Sequence, residues 1–223
     1  MTILLSGIVG STAYGLARVG SDIDRKGVFV APTVDVAGLD WAPQDESQVT
    51  TGPDVTMHEI GKTLRLALKC NPSVLELFWL PEELVETMHD PYGSRLVGLR
   101  GAFLSEDGVR QAYGEYARQQ AHRLANRGDG SFSSDTRKRT SKHARHLARL
   151  LRQGRELLAT GMLTVEVPDP DWYWQFDTMT PEEMLKVYEE EDALFRATRS
   201  VLPEEPDRTA VADYLADVRR GFL

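Results

Sequence analysis

The most chemically loaded stretch of this chain is a Gly10-Ser11 pair followed, after ten intervening residues, by Asp22-Ile23-Asp24. In an extended segment successive side chains alternate, so Asp22 and Asp24 share one face and Ile23 points into the core. Two carboxylates held that close repel and need a counter-charge. A divalent cation supplies it, most naturally Mg²⁺ with its preference for oxygen ligands and phosphate, with Mn²⁺ as the alternative. Gly10 lets the backbone approach a ligand, and the Ser11 hydroxyl with nearby N–H groups suits a phosphate at a helix N-terminus. A third carboxylate on an adjacent strand would complete a two-metal site for in-line phosphoryl transfer. Asp54 is the choice, because it opens the next strand-like segment. Taken alone, Asp-x-Asp fits a solvated turn equally well; the upstream Gly-Ser pair tilts the balance toward catalysis.

Cations to face such a site come from a later helix. Lys142, His146, Arg149, Gln153 and Glu156 recur at helical spacing and share a face, while Leu147, Leu150, Leu151, Leu157 and Leu158 form the apolar one. A solvated basic face is one reading. The other is that Lys142, with His146 and Arg149, neutralises a triphosphate or its pyrophosphate leaving group. His58 shares a strand face with Asp54 and Thr56 and suits either a bond to a metal ligand or ordinary half-burial. Asn71 is read as a helix cap, Glu76 as a buried carboxylate paired with an arginine, and Cys70 as a small core residue. Trp172, Tyr173 and Trp174 either stack on a base or, more in keeping with their place after Pro168-Asp169-Pro170, anchor a tail on the core.

The elements that must position these groups follow from periodicity and punctuation. Ile3 to Gly7 reads as a buried strand with no basic leader before it, and the glycine-punctuated turn 10–15 opens a short helix. Asp22 through Val30 reads as a strand, 35–53 as a long irregular connection, 54–60 as a third strand, and 61–69 as a helix. Further helical patterns cover 109–126, 136–158, 181–202 and 207–220, with 127–131 expected to be mobile or ordered only with ligand. The 223 residues therefore divide into an α/β module over 1–100 and a helical region over 101–223. The predicted class is α+β, a small mixed sheet flanked by helices and followed by a helical C-terminal region.

Composition bounds the function. A net charge of −8 argues against coating nucleic acid non-specifically. Yet eleven Lys and Arg fall between Arg118 and Arg155 against two acidic residues, a local basic strip that suggests a dedicated anion site. No apolar run approaches the roughly 20 residues that span a bilayer. One cysteine fits a reducing compartment, so a cytoplasmic location and no membrane partner are expected.

Gly-Ser, this spacer, then Asp-hydrophobic-Asp resembles the signature of the DNA polymerase β nucleotidyltransferase superfamily. Gly10-Ser-Thr-Ala-Tyr-Gly-Leu-Ala with Ser21-Asp22-Ile23-Asp24-Arg25-Lys26-Gly27-Val28 resembles one branch, the RlaP-type nucleotidyltransferases. The Asn71-Pro72…Glu76-Leu77 segment and the Lys142…His146…Arg149 helix are similar to later segments of that branch, so the likeness covers most of residues 5–165; the 171–176 aromatic segment maps to nothing in it. The resemblance implies transfer of a nucleoside monophosphate from an NTP such as ATP to an acceptor hydroxyl. Asp22, Asp24 and Asp54 would be catalytic and metal-binding; Gly10, Ser11, Tyr14, Ser21, Lys142, His146 and Arg149 would bind the nucleotide. It also implies an RNA end as acceptor. A protein or small-molecule hydroxyl, or a catalytically inactive nucleotide-binding module, are the alternatives.

Overall fold

The computed structural model describes residues 1–115, 117–118 and 134–223. Five strands, β1 (Thr2–Val9), β2 (Asp24–Val30), β3 (Ser47–Thr51), β4 (Asp54–Glu59) and β5 (Val85–Met88), form one mixed sheet in the order β3-β4-β2-β1-β5. The principal helices are α1 (Gly10–Ala13), α2 (Ile60–Ala67), α3 (Tyr92–Gly98), α4 (Ser134–Thr160), α5 (Pro181–Ala197) and α6 (Arg208–Gly221). The class is α+β, as expected.

Two compact units emerge, residues 1–105 with 205–223, and residues 106–204. In the first, β1 pairs antiparallel with β2 and β5, while β2 and β4 run parallel. Alternation along β2 separates Asp24, Lys26 and Val28 from Arg25, Gly27 and Phe29. The second set meets a cluster of Phe29, Ala31 and Met57 packed with Ile3, Val36, Trp41 and Val55. Burying an aromatic such as Phe29 contributes about 2–3 kcal/mol against leaving it in water, so this cluster holds the register of β2 against β4.

Several expectations need correction. Residues 35–53 are not wholly irregular: they include β3, an edge strand paired antiparallel with β4. Its Gln48-Val49-Thr50-Thr51 stretch is exposed, so no buried periodicity marked it. Asn71 stands at the N-terminus of a short helical turn (Pro72–Leu75), but its side chain makes no capping bond. Ile23 is 49% exposed and precedes β2 instead of entering the core.

In the second unit, a turn of α-helix (Glu106–Val109) passes into a π-helical segment (Arg110–Glu115), which packs beside α4 and α5. The expected continuation to 126 and the 127–131 stretch lie largely or wholly outside the described residues. Helix α4 buries Leu147, Leu150, Leu151, Leu157 and Leu158 as its pattern requires. It ends at Gly161, whose φ of 71° lets its N–H bond Leu157 O at 2.8 Å. The Trp-Tyr-Trp segment lies in a short helix (Pro170–Trp174) N-capped by Asp169, with Tyr173 and Phe176 buried. Cys70 is buried, and its Sγ lies 3.6 Å from Phe103 O.

Candidate active site

The site is built where β1, α1 and β2 meet. β1 ends at Val9, which pairs with Asp24, the first residue of β2. Gly10 turns the chain between them with φ of 68°, a conformation costly for any residue with a Cβ. A Cβ there would fall 2.2 Å from Asp24 Oδ2. The glycine is therefore required twice, by its backbone angle and by the carboxylate resting against it. Helix α1 is a single turn, so its contribution is a few outward N–H groups, not a macrodipole.

The register of the parallel pair decides the third carboxylate. Arg25 pairs with Val55, so Asp24 and Asp54, each one residue earlier, stand at the starts of neighbouring strands with side chains on the same face. Thr56 and His58 follow on that face beside Lys26 and Val28. Asp24 is half-buried; Asp54 is exposed, and Asp22 is exposed just before the strand. Their oxygen donors suit a hard divalent cation, and the space kept open at Gly10 lies directly on one of them. Among the described residues no three His, Cys, Asp or Glu side chains already converge as a metal cage.

Beside this edge lies a network centred on the buried Glu76. Glu76, 3% exposed, accepts a hydrogen bond from Tyr14 Oη and another from Lys26 Nζ at 2.8 Å; Lys26 also donates to Ser73 O at 3.2 Å. Glu76 is thus paired with a lysine, not with an arginine. Ser21, by contrast, uses its hydroxyl locally, accepting from Arg18 N at 2.9 Å to close the turn before Asp22. His58 is engaged too: Nδ1 lies 2.9 Å from Ser47 Oγ, to which Lys62 Nζ donates at 2.6 Å. Burial, then the charges of Lys62 and Lys26, lowers the His58 pKa, so the neutral imidazole is favoured.

Lys142, His146 and Arg149 belong to the second unit. Lys142 is exposed, and His146 Nδ1 lies 3.2 Å from Arg149 Nη2. Arg149 is 4% exposed and donates to Gln153 Oε1; Gln153 in turn donates to Thr164 O at 3.0 Å. Glu156 accepts from Thr164 N at 2.9 Å. The polar stripe therefore divides: Gln153 and Glu156 tie down the 162–165 segment, and Arg149 is enclosed behind His146. Other cations of the strip serve the fold. Arg145 pairs with Asp177, and Arg152 and Arg155 with Glu191; Arg145 stacks on Trp174 at 4.4 Å and Arg152 on Trp172 at 3.3 Å. The aromatic segment is thus an anchor onto α4.

Sequence reasoning overlooked Lys26 as a site residue. The available signal was its parity with Asp24, two residues on along the same strand face.

A protein-family model, RlaP, described as the RNA repair pathway DNA polymerase beta family, matches residues 1–213. A solved structure similar to the chain is a nucleotidyltransferase-like protein from Exiguobacterium sibiricum 255-15, 13% identical, covering 99% of this chain and 74% of that one. The TM-score of that match is 0.35. Among curated proteins there is no significant match.

Proposed function

The chain belongs to RlaP, the RNA repair pathway DNA polymerase beta family, and from that premise we propose that it transfers a nucleoside monophosphate from an NTP to an acceptor hydroxyl, with an RNA end as the acceptor. The observation that carries the proposal is Gly10 closed against Asp24, with Asp54 beside it at the start of the neighbouring strand. Asp22, Asp24 and Asp54 would hold a divalent cation, Mg²⁺ or Mn²⁺, which when bound would offset their mutual repulsion and polarise phosphoryl oxygens.

The chain's own residues have separate tasks. The Gly10-Ser11 turn offers N–H and hydroxyl donors to the β- and γ-phosphates, with Tyr14 and Ser21 framing the turn and its exit. Asp54, an exposed carboxylate at the start of the neighbouring strand, takes the proton of the attacking hydroxyl. Lys142, with His146 and Arg149, would neutralise departing pyrophosphate. Such chemistry asks little beyond positioning and charge stabilisation.

The test uses the full chain with Mg²⁺ and each labelled NTP, with and without total RNA. Label should enter RNA, and Asp22→Asn and Asp24→Asn should each reduce incorporation by at least about 10²–10³-fold. Near-native turnover in either variant overturns the site. Label in protein or in a small molecule instead of RNA moves the acceptor assignment, and no label at all supports an inactive nucleotide-binding module.

A further inference from the structure

Glu76 is separated from Tyr14 by 62 residues and from Lys26 by 50, yet it binds both. A carboxylate this deeply buried is unfavourable unless it is paired and fully hydrogen-bonded, and an apolar residue of similar volume would usually serve stability as well. What the carboxylate adds is geometry. Its two partners are drawn from the two elements that make the candidate site. Tyr14 closes α1, and its backbone N–H donates to Gly10 O at 3.0 Å; Gly10 is the residue that rests against Asp24. Lys26 lies on β2, two residues beyond Asp24 and on the same face. One Oε atom holds the turn and the other holds the strand.

We infer that Glu76 is a positioning residue for the nucleotide, holding Tyr14, and through it the Gly10-Ser11 turn, in place against Asp24. Lys26 is the second arm of the same brace, orienting Glu76 through its Nζ while another of its ammonium N–H groups donates to Ser73 O. This rests on the nucleotidyl-transfer reading of the site. It concerns the loop that receives the phosphates, so the consequence of loosening it falls on nucleotide affinity more than on the transfer step. A buried carboxylate with a purely structural task would instead change folding stability and leave the affinity of the folded enzyme untouched.

The experiment compares Glu76→Gln, Tyr14→Phe and the double variant with the full-length protein, with Mg²⁺ and the four labelled NTPs supplied singly. KM, kcat and the melting temperature are read for each. Each single change should raise KM for the preferred NTP about ten- to a hundredfold, as expected for losing a hydrogen bond to a charged group, with kcat changed far less. The double variant should be no worse than the more affected single, because both remove one interaction. Unchanged KM in folded single variants, or effects that multiply in the double, overturns the inference. Should Glu76→Gln not fold, Tyr14→Phe alone decides, since it removes only a half-buried hydroxyl: a raised KM sustains the brace and an unchanged one overturns it. Asp24→Asn run in parallel separates the two levels. Full turnover by that variant overturns the site and this inference together, whereas a dead Asp24→Asn beside wild-type KM in Glu76→Gln and Tyr14→Phe overturns this inference alone.

Discussion

At position 10 of the candidate site there is no room for even a methyl group. Gly10→Ala must adopt a left-handed φ and place its Cβ 2.2 Å from Asp24 Oδ2. The backbone penalty alone is about 1–2 kcal/mol, and relief of the clash must move the carboxylate. NTP incorporation by Gly10→Ala should therefore fall as severely as in Asp24→Asn, while the protein stays folded by circular dichroism; retained activity would show that Asp24 is not where the chemistry happens. His58 gives a second residue-scale expectation. Its pKa is lowered in the folded state, so the unfolded chain binds the proton more readily below the ordinary value of about 6.5. The neutral-His contribution is fully present above that pH and is lost as pH falls through the lower, folded value. The unfolding midpoint should decline on acidification below about pH 6.5, and His58→Gln should flatten that part of the profile. At this scale Gly10, Ser11 and Asp24 were legible from type and spacing. Glu76 was legible as a buried carboxylate, but its pairing with Lys26 was not, since nothing local pairs residues 50 apart.

Helix α4 shows how an element's sequence names its faces but not their occupants. Heptad-like leucines predicted the buried face, and the leucines are buried. Its glycine at 154 carried no such message. A Cβ at Gly154 would lie 2.7 Å from Tyr113 Cβ and 2.8 Å from Phe195 Cε2, where α4 crosses the π-helical segment and α5. Two effects compete in Gly154→Ala. Helix propensity favours alanine by about 1 kcal/mol, whereas overpacking a well-filled crossing costs about 1–3 kcal/mol. The neighbours are a Cβ and an aromatic ring wedged between helices, so the clash should win. Gly154→Ala should lower the urea midpoint, and a stabilised variant would show that the crossing has room to give. The basic residues of α4 teach the same lesson. Their number suggested one anion-facing stripe, but Arg145, Arg152 and Arg155 are taken by Asp177 and Glu191, leaving Lys142 as an exposed member of the original face.

The chain as a whole returns on itself. Arg219, 160 residues beyond Glu59, meets it through Nη1 at 2.7 Å and Nη2 at 2.9 Å. Glu59, 2% exposed, also caps α2 by accepting from Gly61 N at 2.7 Å. Thr33 Oγ1 donates to Arg219 O at 2.7 Å, and Thr33 N to Phe222 O at 2.8 Å. Removing the arginine leaves a buried carboxylate uncompensated, so Arg219→Ala should destabilise the first unit by about 3 kcal/mol, measured as a shift in denaturant midpoint; a change near zero would mean the last helix is dispensable to the sheet. The candidate site's motifs are local and could be read locally: Gly-Ser, Asp-x-Asp and the Pro- and Gly-bounded helices are matters of spacing, steric allowance and alternation within a dozen residues. The sequence by itself determined the α+β class, the loop with Asp24 behind it, and the apolar face of α4. Only tertiary structure decided that exposed residues 48–51 pair as an edge strand, that Asp54 lines up with Asp24, that Glu76 joins Tyr14 to Lys26, and that the last helix closes on β4. Those outcomes depend on which buried charges and strand edges find partners far along the chain, and satisfying them is a property of the folded whole.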